Sequence, residues 1–192
     1  SFVEPNIFIK NMKKTILLPF LVIIIFSSST ISNFAETMFK DNFQDPNKWE
    51  FISDNVMGGV SIGKVQYQND TAILSGNVST ENNGGFIQIR MSLDKIKLDK
   101  TKSIKLIAKG NNQKYFVHLR TTGTLLPWQY YQAEFIVEEN FKEFILPIED
   151  FKKSGSLMLK KVNPKKITSI GLVAYGRDHE AYLTIKEIEF IN

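Results

Sequence analysis

The chain has 192 residues, 24 of them Lys or Arg against 20 Asp or Glu, and a formal net charge of +4. It contains no cysteine, which excludes disulfides, thiolate metal ligands and a cysteine nucleophile. Residues 1–35 carry three of the lysines and one glutamate, so the remainder holds only +2, a weak basis for nucleic-acid binding.

Ser1 to Asn11 read as sequence upstream of the natural start and are set aside from fold reasoning. Met12-Lys13-Lys14 then leads into the apolar run Thr15–Phe26 and the small, polar stretch SSSTIS. A positive start, a short apolar core and a small-residue tail make an N-terminal signal peptide. The run is short for a spanning helix, which needs roughly 20 residues. Pro19 and the lysine pair argue against a buried core helix. The expected location is therefore periplasmic or extracellular, with cleavage after Ser32 or Ala35. The alternative is an uncleaved signal anchoring the protein to the inner membrane. Residues 36–192 are expected to form one domain, large enough to bury a substantial core and supplied with fifteen phenylalanines over the whole chain.

Beyond residue 36 apolar and polar residues alternate. Asp45–Trp49 reads as a helical turn. KVQYQ leads through a turn at Asn69-Asp70 into TAILSGNVS. GGFIQIRMSL, SIKLIAKG, KYFVHLRTT, QYYQAEFIV, KEFILPI, ITSIGLVAYG and AYLTIKEIEFI read as further strands. Asn83-Gly84 and Lys109-Gly110-Asn111 are turn chemistry, because Asn and Gly tolerate positive φ. Ile148–Lys153 reads as a second helical turn. Many short strands at this spacing predict an all-β, antiparallel sandwich or barrel.

The stretch DNVMGGVSIG, Asp54 to Gly63, raises the question of a phosphate cradle. The context excludes one, since no Gly-Lys-Ser/Thr ending or following helix accompanies the glycines. Val60 to Gln68 alternates as a strand, so Val56–Ser61 is expected to be a non-helical bend, in which a side chain at Gly59 is destabilising if φ is positive there.

Trp49, the block containing Asp54, Met57, Gly58 and Gly59, and the block SGNVSTENNGGFIQIR with Asn82, Asn83, Gly84 and Gly85 occur in order. This arrangement resembles the complex I intermediate-associated protein 30 family, and YFVHLRTT, YYQAEF, FILPIEDF and ITSIGLVAYG extend the resemblance over nearly all of residues 38–192. The resemblance implies a galactose-binding-like jelly-roll β-sandwich, close in fold to some carbohydrate-binding modules. The best-known members are mitochondrial assembly chaperones for respiratory complex I. Here a bacterial-style secretion signal stands where a transit sequence would be, and fold alone does not fix function.

His118 and His179 lack the spacing of a zinc pair, and no G-x-S-x-G elbow accompanies the serines. Glu149-Asp150 are adjacent and so point apart on a strand, which leaves no glycosidase dyad. No metal, cofactor or catalytic residue is expected.

Strand parity yields a candidate site. Gln88 and Arg90, His118 and Arg120, and Tyr130, Gln132 and Glu134 each share a face opposite apolar neighbours. If these strands lie in one sheet, its outer side carries planar donors beside an aromatic ring, which suits a sugar or a peptide. The alternative is an ordinary solvated face with Glu134, its only acid, paired to Arg90 or Arg120. Trp128, after Pro127 in a loop, is either a stacking platform or a hydrophobic plug. Lys152 to Lys166 contains six lysines and no acid, and is either a solvated loop or a contact for anionic lipid or an acidic partner.

The leading expectation is a non-enzymatic domain binding a protein client in assembly-factor fashion. Its rival is a carbohydrate-binding module for envelope or environmental glycans. An exposed aromatic platform beside the polar face favours glycan; a broad apolar patch favours protein.

Overall fold

The computed structural model describes residues 35–192; the signal segment and its cleavage sites lie outside the described residues. Twelve strands make up the fold: β1 (Thr37–Asp41), β2 (Trp49–Ser53), β3 (Ile62–Gln68), β4 (Thr71–Val78), β5 (Phe86–Ser92), β6 (Ser103–Gly110), β7 (Lys114–Thr121), β8 (Tyr131–Ile136), β9 (Lys142–Pro147), β10 (Lys152–Lys153), β11 (Ile167–Tyr175) and β12 (His179–Ile191). One sheet runs β3-β4-β12-β6-β9 with β1 also on β12; the other runs β10-β8-β7-β11-β5-β2. Every pairing is antiparallel. This is the antiparallel sandwich that the alternation allows and the jelly roll that the family resemblance implies. Among the described residues no helix is long and apolar enough to cross a membrane.

The period of two explains the core. Ile87, Ile89 and Met91 of β5, Val117 and Leu119 of β7, and Ile170 and Leu172 of β11 point inward. They meet Leu74, Ile104, Leu106, Leu183, Ile185 and Ile188 from the opposite sheet in a single cluster. The β3–β4 hairpin turns on Asn69 and Asp70, both at positive φ (50° and 53°), a two-residue turn that Asn and Asp tolerate. Trp49 is buried at the sandwich end, packed at a tilt against Phe43 at 5.0 Å, with its Nε1–H donated to Asp41 at 3.2 Å.

Two local expectations need correction. The turn expected over Ile148–Lys153 covers only Ile148–Asp150, because Lys152 and Lys153 extend to pair with Gln132 and Tyr131. Val56–Ser61 is not wholly non-helical, since a 3-10 turn spans Asp54–Met57. The left-handed residue that closes this turn is Gly58 (φ 86°), not Gly59.

Candidate functional site

The two sequence blocks converge on one buried carboxylate. Asp54 is inaccessible to solvent. It accepts hydrogen bonds from Ser61 N–H at 3.0 Å, Ser61 Oγ–H at 2.5 Å, Gly85 N–H at 2.5 Å and Phe86 N–H at 3.3 Å. A Cβ on Gly59 or Gly84 would collide with that carboxylate, so these glycines supply space. Asn82 and Asn83 turn the second block toward it at positive φ (56° and 59°). Burial pushes the Asp54 carboxyl up, but the Gly85, Ser61 and Phe86 donors outweigh it and hold it below its ordinary value. These residues are architecture, and they leave Val56, Met57, Val60 and Ile62 exposed at this end of the sandwich.

The sheet β10-β8-β7-β11-β5-β2 has its outer face free of any covering layer among the described residues. Its register brings the candidate residues together. Gly171 of β11 lies between Arg90 and His118, Val173 lies beside Gln88, and His118 pairs with Gln132. Gln88, Arg90, His118, Arg120 and Gln132 therefore share this face. Tyr130, just ahead of β8, joins them by laying its ring on His118 at 3.9 Å and 11°. Tyr175 stands edge-on to both rings, at 5.7 Å from His118 and 6.2 Å from Tyr130, and Phe116 sits edge-on to Tyr175 at 5.9 Å. The result is a cluster of four rings in the middle of the face.

Several of these groups are not free donors. His118 is buried, and burial pulls its imidazole down to about 3, with the adjacent Gln132 amide opposing; it is neutral near pH 7. Arg120 spends Nη2 on the carbonyls of Thr124 at 3.0 Å and Leu126 at 3.1 Å, so it braces the following loop. Neither arginine pairs with Glu134. Arg90 bonds Glu50 at 2.9 Å, because β2 places Glu50 directly opposite Arg90, while Glu134 pairs with Lys114 at 3.2 Å. Glu134 is thus not the only acid on the face. Trp128 is exposed, which makes it no plug.

His118 Nε2 and Gln132 Oε1 are buried without a hydrogen-bond partner among the described residues. Polar atoms in that condition are costly to the fold. Two open recesses lie on this face, the first of them lined in part by rings of the cluster. One, of about 430 Å³, is lined by Lys114, Phe116, Ile136, Tyr175 and Arg177 among others. The second, of about 500 Å³, is lined by Glu50, Arg90, Ser92, Arg120 and Ser169 among others. Phe116 shares strand parity with His118 and was legible in the sequence; Tyr175 and Glu50 depended on knowing which strands lie beside β5 and β7. Among the described residues no three His, Asp or Glu side chains group as metal ligands.

Fold and site define a galactose-binding-like β-sandwich with a ring-bearing outer face on one sheet. The chain belongs to the Complex I intermediate-associated protein 30 family, whose sequence model matches residues 37–185. A search of characterised proteins by sequence finds no match. Among solved structures it is similar to a family 11 carbohydrate-binding module from Clostridium thermocellum in complex with a β-1,3-1,4-mixed-linked tetrasaccharide. That match has a TM-score of 0.64 and 16% identity, covering 84% of this chain and 98% of the module. It is also similar to the family 11 module of a cellulosomal cellulase from the same organism, with a TM-score of 0.62 and 14% identity over 83% of this chain and 95% of the module. At such identities the likeness speaks for the fold. Family and fold together support a non-enzymatic binding domain.

Proposed function

We propose that the open face of the β10-β8-β7-β11-β5-β2 sheet is a ligand surface for a glycan chain. One observation carries the reading: four interlocked rings sit among planar polar side chains on a face that no other described element covers. Tyr175 and Tyr130 offer apolar ring area to a pyranose face, while Gln88, Gln132 and Arg90 bond hydroxyls around it. The mixed-linked tetrasaccharide of the similar module names a first ligand class to try. The test is a glycan array with the wild-type chain beside Tyr175→Ala. Retention of selected glycans by the wild type and its loss in a folded Tyr175→Ala chain supports the reading; an array without any retained glycan counts against it.

A protein client is the second reading, and a different observation favours it. The loop braced by Asp54 exposes Val56, Met57, Val60 and Ile62 together. The family description, an association with complex I intermediates, fits such a use. Under this reading Met57→Ser weakens capture of the client and leaves glycan retention untouched.

We also propose export, on the strength of Met12-Lys13-Lys14 and the apolar run Thr15–Phe26. Intact-mass analysis of protein from its native host tests it, and an unprocessed chain in the cytosol would contradict it.

A further inference from the structure

We propose that the loop between β7 and β8 and the loop between β10 and β11 form a docking tip for the surface of an anionic phospholipid bilayer. Leu125, Trp128, Leu157 and Leu159 are 83%, 62%, 90% and 68% exposed, so four large apolar side chains stand in solvent at one end of the sandwich. Single exposed leucines are ordinary; a Trp and four Leu, Leu126 included, on two adjoining loops are not.

The two loops are joined. Ser154 N–H donates to Tyr130 O at 2.9 Å and Ser154 Oγ–H to Trp128 O at 2.9 Å. Tyr130 N–H returns a bond to Ser154 Oγ at 3.0 Å, and Tyr131 Oη–H bonds Leu159 O at 3.1 Å. Met158 is buried between the two outward leucines, and Lys153 Nζ caps the Ser156 and Met158 carbonyls at 3.1 Å each. The tip is thus built to hold Leu157 and Leu159 out while Met158 anchors it below.

Charge names the occupant. Lys152, Lys160, Lys161, Lys165 and Lys166 are exposed around the leucines, and residues 152–166 contain no acid. The centre of a protein–protein interface is depleted of such charges. A bilayer interface accepts this arrangement: leucines enter the acyl boundary, the indole rests at headgroup depth, and lysines meet anionic phosphates. The tip shares only the Tyr130 backbone with the ring cluster and uses none of its rings, so this inference stands apart from the glycan reading.

Trp128 is its own reporter, because Trp49, the second tryptophan, is 6% exposed and fixed by Asp41. The full chain is mixed with phosphatidylcholine vesicles that contain or lack phosphatidylglycerol, and its emission is recorded. Compared chains are identical outside the two loops, so residues 1–34 contribute equally to each. The expected result is a blue shift with phosphatidylglycerol that salt reverses and that Trp128→Phe removes. Each Lys→Gln change at Lys160 or Lys161 should weaken the partition about fivefold, and Leu157→Glu with Leu159→Glu should abolish the shift. Unchanged Trp128 emission with anionic vesicles would overturn the proposal. So would an equal shift with phosphatidylcholine alone, or an undiminished one in the lysine and leucine variants whose thermal unfolding matches the wild type.

Discussion

The Asp54 carboxylate accepts the Gly85 amide proton at 2.5 Å, although 31 residues separate them. With two further donations from Ser61, this contact ties the entry to β3 to the entry to β5. It gives the two glycine-bearing blocks one physical cause, a buried anion satisfied by four donors. Asp54→Asn keeps the shape but removes the charge and turns amide hydrogens toward existing donors. The expected loss is about 2–4 kcal/mol in urea unfolding. A loss within error would show that the carboxylate is dispensable.

The neighbouring glycines separate two effects. Gly58 has open space where a Cβ would lie but a left-handed φ of 86°, so Gly58→Ala is expected to cost about 1 kcal/mol and Gly58→Asn less. Gly59→Ala pushes a methyl into Asp54 and is expected to cost more than about 2 kcal/mol. Thermal unfolding of the three variants ranks them, and the reverse order would contradict the packing described.

Acid should act in two windows. His118 titrates at about 3 in the folded chain against 6.5 for an ordinary histidine. Between these values the unfolded chain binds a proton that the folded one refuses, so stability is complete above about pH 6.5. It then falls on acidification by up to about 1.4 kcal/mol per pH unit. Asp54 is lowered from 3.8, so its contribution is present above that pH and is lost only below it. His118→Gln should remove most of the upper slope, leaving the part that His179, also held below its ordinary value by burial, contributes, and should leave the lower window unchanged. Urea unfolding at a series of pH values checks both slopes.

Arg120 was a ligand donor on sequence grounds and is a loop brace in the fold. Arg120→Ala should therefore raise amide hydrogen exchange across Thr124–Gln129, at a cost of about 1–2 kcal/mol. Unchanged protection there would return the guanidinium to the ligand's side.

What the sequence made legible was periodic. Alternation in β5, β7 and β8 sorts Ile87, Ile89, Val117 and Leu119 from Gln88, Arg90 and His118 without any knowledge of neighbours. It failed for β1, whose Thr37–Asp41 has no clean period, and for the two-residue β10, which exists only through its pairing with β8. Partners across strands were equally hidden. Glu50 meets Arg90 because β2 happens to flank β5, and no local signal announces that. Parity puts His118 on the outer face, yet its burial comes from Tyr130 laid over it, a contact twelve residues away along the chain. The fold was thus readable from local chemistry, whereas the state of each site residue was decided by non-local packing.

The claim at the centre of this account is that the ring-bearing sheet face receives the ligand. The most direct measurement is a two-dimensional amide NMR titration with the glycan that the array retains best. The predicted result is saturable shifts at Gln88, His118, Gln132 and Tyr175, with the exposed Val56–Ile62 loop unmoved. Shifts confined to Val56–Ile62, or none on the sheet face at saturating glycan, would contradict it.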